Sequence, residues 1–252
     1  STSLSSRNAA PFVGREVELE LLKEAHASAR SSGPGARRLA LVTGDAGVGK
    51  SVLVQELCRY LRSRNERFVE GRCYPGIAEA YQPFGELVIE ALSSLEQLGV
   101  DAAACERYVT RLQPLSTRRA PAKTANKWQL YDALLEFFQE LGRVAPHTLV
   151  LHDLHYADPA TLDLLRFLGE NLSSPEAIES QEPPSAPGLL VVTSREVGGD
   201  AGAVLNELSR LSWASHIRLG GLGKADVAKL LQSTPVIERL FERSGGNPHH
   251  LE

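Results

Sequence analysis

Eight residues, GDAGVGKS from Gly44 to Ser51, have the types and spacing to hold a phosphate. They fit the pattern GxxxxGK[ST], in which Gly44, Gly47 and Gly49 let the backbone curl with its N–H groups turned inward. Asp45, Ala46 and Val48 fill the loop, and Val52 follows it. The helix expected to start at Lys50 adds a partial positive charge at its N-terminus. Lys50 can then reach β and γ phosphates, and the Ser51 hydroxyl can ligate Mg²⁺. The apolar run LALVT (39–43) before the loop and a helical pattern to about Arg64 after it supply the strand–loop–helix context the motif needs.

Phosphate chemistry with Mg²⁺ also needs an acid at the end of a nearby strand, to hold the metal shell and polarise the attacking water. LVLHDLHYAD, Leu149–Asp158, is the candidate, with Asp153 in that role. His152 stands beside it, and a neutral imidazole is a poor Mg²⁺ ligand because the ion prefers carboxylate and water oxygens. His155 is expected to orient the loop by hydrogen bonds. Asp158 reads first as a helix cap, because proline follows at the first helical position.

The elements that must position these residues alternate. After the FVGRE turn, Val17, Leu19, Leu21, Leu22 and Ala25 mark an amphipathic helix. SSGPGARR (31–38) reads as a linker. Strands are expected at LALVT, RFVEGRCY (67–74), TLVLHD (148–153), GLLVVTSRE (188–196) and HIRL (216–219), and helices at 83–97 and 127–142. Trp128, Tyr131, Leu134, Leu135, Phe138 and Leu141 give the second of these a core-facing stripe. Residues 113–126 form a basic, proline-containing connection, and SSPEAIESQEPPSAPG (173–188) a low-complexity linker. Past Gly223 the pattern is helical only. Strands alternating with helices imply an α/β fold. The expected architecture is a P-loop NTPase three-layer sandwich with a parallel sheet of about five strands and a small helical lid. Residues 1–10 are expected to be a flexible N-terminus, 11–220 the core and 221–252 the start of the lid.

The 252 residues carry 27 basic and 31 acidic side chains, a net charge of −4, which offers no bulk attraction to nucleic acid or an anionic membrane. Cys58, Cys73 and Cys105 lack CxxC spacing and suit a reducing compartment. The apolar runs are too short to span a membrane, and residues 1–10 lack a signal-peptide core, so a cytoplasmic location is expected. The chain has no methionine. It therefore reads as an excised piece of a longer protein, whose HHLE ending could belong to a tag junction.

FVGRE, GDAGVGKS, LVLHDLHYADPATLDLL, LLVVTSRE and SGGNP occur in order over residues 11–250. Together they resemble the nucleotide-binding module of bacterial STAND-class, AAA-like P-loop signal-transduction ATPases, found in large LuxR-type regulators and in kinase- or cyclase-linked regulators. The resemblance implies ATP or ADP with Mg²⁺, adenine packed on the FVGRE turn with the backbone of Phe12 and Val13 reading its edge, and Arg15 nearby. It implies a phosphate-sensing role for Arg195 and a lid proline, Pro248, closing over the base. Plainer readings of the same residues are a hydrophobic staple for Phe12, a surface arginine for Arg195 and a helix stop for Pro248. Family members usually show two adjacent acids where this chain has His152-Asp153. One general-base interaction is worth roughly 10²–10⁴-fold in rate, so slow hydrolysis is expected. The expected function is an ATP/ADP switch that regulates fused or partner domains, with a nucleotide-dependent oligomer as an option and no direct nucleic-acid binding by this piece. Two alternatives stand beside it: an origin-recognition-like DNA-binding ATPase, and a catalytically degenerate pseudo-ATPase scaffold.

Overall fold

The computed structural model describes residues 12–30, 36, 38–77, 79–100, 111–112, 127–171, 188–196, 198–231, 244–245 and 247–250. The expected flexible N-terminus, the basic loop 113–126, Cys105 and nearly all of the 173–188 linker lie outside these residues.

Five strands form one sheet: β1 (Leu39–Gly44), β2 (Arg67–Arg72), β3 (His147–His152), β4 (Leu190–Ser194) and β5 (Ala214–Leu219). Their order is β2-β3-β4-β1-β5, and every pairing is parallel. This is the expected α/β P-loop architecture. β1, β3 and β4 are buried at every position, matching their unbroken apolar runs, as central strands covered on both faces must be. β2 and β5, at the two edges, alternate between buried and partly exposed positions.

Helices α1 (Glu16–Ala29) and α2 (Lys50–Ser63) cover one face, where Leu53, Val54, Leu57, Cys58 and Leu61 pack with Ala40, Val42, Val150 and Val191. Fully burying each such leucine contributes roughly 1.5–3 kcal/mol. Helices α3 (Gln82–Gln97), α4 (Lys127–Val144), α5 (Pro159–Asn171) and α6 (Gly199–Leu208) contribute to the cluster on the other face, with Leu39, Leu41, Leu149, Leu151 and Val192. A further helix, α7 (Lys224–Leu231), follows β5. α3 also seals the β2 edge: the Glu70 N–H donates to Glu90 Oε2 at 2.6 Å and the Arg72 N–H to Glu86 Oε2 at 2.8 Å. Those carboxylates satisfy backbone donors that would otherwise invite another strand.

Three sequence expectations change. Val17 and Leu21 point outward at 72% and 44% exposure, and α1 is held instead by Leu22, Ala25 and Ala29. Trp128 is 52% exposed, so the α4 core stripe begins at Leu130 and Tyr131. Helix α6 was not foreseen, although Ala201, Val204, Leu205 and Leu208 keep helical spacing, because the glycines at 198, 199 and 202 disguise it.

The connection after β1 leads toward β2, and the one after β4 leads past β1 to β5. Such a reversal opens a crevice at the C-terminal ends of the strands. The glycine loop and the end of β3 both lie at that edge.

Candidate nucleotide-binding site

β1 ends at Gly44 and α2 begins at Lys50, so residues 45–49 form the loop. Gly44, Gly47 and Gly49 have φ of +152°, +73° and +102°, values that exclude ordinary side chains. Val48 is buried in the core on the α2 side and anchors the loop from below. Asp45, Ala46, Gly47, Ser51 and Val52 are exposed. Lys50 is only 7% exposed, and its ammonium donates to the Gly44 carbonyl at 2.8 Å and the Asp45 carbonyl at 2.6 Å. Burial holds its pKa below the ordinary lysine value; Arg195 adds to that effect, while Asp153 and Asp45 oppose it. Lys50, Arg195, Asp153 and Asp45 therefore share one electrostatic neighbourhood.

At the end of β3, Asp153 adopts a left-handed conformation, φ +59° and ψ +43°. Its N–H donates to Thr193 Oγ1 on β4 at 3.0 Å, and its Oδ2 accepts from Arg72 Nη1 at 2.6 Å. His152, two residues beyond Val150, faces the α2 side of the sheet. It is 3% exposed, and its Nε2 lies 2.9 Å from Glu70 Oε1. That hydrogen bond is the main cause holding the Glu70 carboxyl below its usual range, against the opposing effect of burial. In the neutral imidazole, an ionised Glu70, which accepts only, places the proton on Nε2 and leaves Nδ1 as an acceptor. Nδ1 is buried and has no partner.

His155 Nδ1 accepts from the Arg195 N–H at 3.4 Å, joining the turn after β3 to the end of β4. Burial, then Arg195, holds His155 below the ordinary imidazole value. Its ring lies 4.0 Å from that of Tyr156, and the Arg195 guanidinium sits 5.8 Å from the Tyr156 ring centre. Asp158 caps α5: Oδ1 accepts from Ala160 N at 2.9 Å and Thr161 N at 3.0 Å.

Arg15, Asn247 and His249 meet the loop from outside. Arg15 is 7% exposed, and its Nη2 donates to the Val48 carbonyl at 3.2 Å and to the Gly220 carbonyl, where the chain leaves β5. Its Nη1 pairs with Glu18 at 3.0 Å. Phe12 packs partly buried on the α2-side core, and Val13 is half-buried. Pro248 opens a short 3₁₀ turn, Pro248–His250. The preceding Asn247 donates from Nδ2 to the Ala46 carbonyl at 2.8 Å. His249 lies so close that a methyl group on Gly47 would sit 2.3 Å from its Cβ.

The structure thus gathers Asp45, Lys50, Asp153, His155 and Arg195 at one edge, with Arg15 below the loop and residues 247–249 against it. Sequence reasoning missed Glu70, Arg72 and Asn247. Glu70 and Arg72 alternate on an otherwise core-forming strand, and that polar period was the available signal. Among the described residues, no three His, Cys, Asp or Glu side chains converge as a metal site. A divalent ion at this edge would complete its shell with other oxygens, such as those of water or a bound phosphate.

The profile of the family described as AAA ATPase domain matches residues 11–179. An uncharacterized protein of Rhizobium meliloti is 28% identical over 178 residues, 63% of this chain and 17% of its own length. Among solved structures, the Cdc6p protein of Pyrobaculum aerophilum aligns with a TM-score of 0.51 at 19% identity, over 92% of this chain and 51% of its own. The ADP form of the Aeropyrum pernix ORC2 protein aligns with a TM-score of 0.52 at 14% identity, over 97% and 63%. At these identities the two structures speak for the fold alone. The chain spans a small part of its bacterial relative and less than two thirds of either archaeal chain.

Proposed function

The chain belongs to the AAA ATPase domain family, and on that premise we propose that it is an ATP/ADP-controlled signalling switch with slow hydrolysis. The observation that carries this reading is Lys50, buried in a loop of left-handed glycines yet bonded, among the described residues, only to that loop's own carbonyls. Bare carbonyls are weak partners for an ammonium, and a phosphate offers stronger, charge-assisted acceptors in the same reach. Arg72 is already paired with Asp153, so of the two acids that act on Lys50 among the described residues only Asp45 is left without an ion pair. The site's unspent charge is positive, as an anion site requires.

In this proposal the loop N–H groups and Lys50 hold the β and γ phosphates, while Arg195 reports the γ phosphate. Phe12, Val13 and Pro248 enclose the base, for which adenine follows from the family. When Mg²⁺ accompanies the nucleotide it neutralises developing phosphate charge. Ser51, exposed in the first turn of α2, and the Asp153 carboxylate are the groups whose oxygens suit its shell. Asp153 orients the attacking water, but its ion pair with Arg72 ties down one of its two oxygens. That restraint, and a ring where a second carboxylate would sit, support slow turnover.

The lid supplies the switch. Asn247 and His249 already rest on Ala46 and Gly47, so phosphate entering the loop must reposition them. A nucleotide whose affinity differs between the two lid positions shifts their populations by that difference and no more. Fused or partner domains would read the lid's position, and a nucleotide-dependent oligomer would fit the same output. The test is to denature purified protein, identify the released nucleotide, and then follow phosphate release with Mg²⁺-ATP for wild type and Asp153→Asn. Adenine nucleotide recovered, with slow release that the substitution abolishes, supports the switch. Fast multiple turnover, or no nucleotide binding at all, overturns it.

A further inference from the structure

His152 stands where the family resemblance leads one to expect an acid, and its surroundings are those of a ligand. The ring is buried at 3% exposure, its Nε2 is bonded to Glu70, and its Nδ1 has no protein partner. A neutral acceptor enclosed in protein without a donor is destabilising, so it is retained where something completes it. Histidines that bind metals characteristically give their other ring N–H to a carboxylate, which fixes the tautomer and raises the basicity of the ligating nitrogen. Glu70 is placed to do this from the neighbouring strand, where Arg72 is in register with His152.

We propose that His152 Nδ1 directly ligates the divalent ion that enters with the nucleotide, with Glu70 as its positioning residue, and that the site therefore prefers Co²⁺ or Mn²⁺ to Mg²⁺. Imidazole is a better donor for first-row transition ions than for Mg²⁺, and affinity rises from Mn²⁺ to Co²⁺. Among the described residues no set of three acidic, histidine or cysteine side chains could hold such an ion unaided. The ion is therefore expected to bind only together with nucleotide. This inference rests on the nucleotide-site reading above.

The experiment uses the whole chain with ADP and Co²⁺ as the probe. Proton NMR in water should show one exchangeable, hyperfine-shifted ring N–H, the Nε2 proton held by Glu70, which disappears in D₂O. His152→Asp should remove that resonance and shift the ratio of Mg²⁺ to Co²⁺ dissociation constants toward Mg²⁺ by at least about tenfold. Glu70→Gln should weaken Co²⁺ binding about 10–100-fold, the usual effect of losing such a partner. Fluorescent ADP binding in EDTA is measured in parallel. ADP binding with no shifted N–H in the wild type, and equal metal preference in wild type and His152→Asp, overturns the inference and leaves the nucleotide site standing. No ADP binding with or without metal overturns both.

Discussion

Arg15 offers the sharpest test of how the glycine loop is held. Its guanidinium bridges two carbonyls far apart in sequence, Val48 in the loop and Gly220 at the exit of β5, and both contacts lie in a site where the arginine is 7% exposed. Arg15→Ala leaves those carbonyls without their charged donor. Hydrogen bonds to charged groups contribute about 1.5–3 kcal/mol each, and an unsatisfied buried group costs a similar amount. The partly exposed pair with Glu18 adds little. Allowing water to reach the Gly220 side, the net loss is about 3 kcal/mol. For a chain of this size each kcal/mol moves the melting midpoint by about 2–4 °C, so the expected drop is roughly 6–12 °C. Arg15→Lys should recover less than half of it, because a lysine ammonium ends one bond short of Nη2, the atom that donates to both carbonyls, and cannot keep the Nη1 pair with Glu18 as well. Calorimetry of the three ligand-free proteins decides the matter. A midpoint for Arg15→Ala within about a degree of wild type would refute the clamp, as would full recovery by lysine.

Other perturbations probe neighbouring parts. Gly47→Ala combines φ +73° with a 2.3 Å approach to His249, whereas Gly49→Ala has strain at φ +102° but open space. Hydrogen exchange at residues 247–249 should therefore speed up several-fold in the first variant and stay near wild type in the second, consistent with losing a contact of about 1 kcal/mol. Asp158→Ala removes the α5 cap and should cost about 1–2 kcal/mol in urea unfolding while leaving ADP affinity within about twofold. His26, His147 and His216 are all held below the ordinary imidazole value by burial. Unfolding frees them to take up protons, so the unfolded state binds more protons and stability falls as pH drops below about 6.5 toward the folded values. Urea midpoints that stay level between neutral pH and pH 5.5 would contradict that assignment.

Much of the fold could be read because its central strands are apolar throughout and its glycine loop follows one of them directly. α6 could not, since three glycines broke the pattern that Val204, Leu205 and Leu208 otherwise keep. The orientation of α1 was misread because Val17 and Leu21 are apolar yet lie on the outer face, and composition does not state which stripe meets the sheet. Within the candidate site, Lys50 was picked from the glycine-loop pattern, Asp153 from the end of an apolar strand and Arg195 from the family resemblance. Glu70 and Arg72 did not, because their importance comes from register: β2 pairs with β3, which sets them beside His152 and Asp153. Asn247 was passed over for the proline after it, although its amide rather than the ring makes the hydrogen bond to the loop.

The most direct test of the switch is hydrogen–deuterium exchange of residues 244–250 in ligand-free protein, with ADP, and with a non-hydrolysable ATP analogue. The account predicts three distinguishable exchange patterns, because contacts at Ala46 and Gly47 must change when phosphates fill the loop. Saturating nucleotide that leaves exchange in this segment identical in all three states would contradict it.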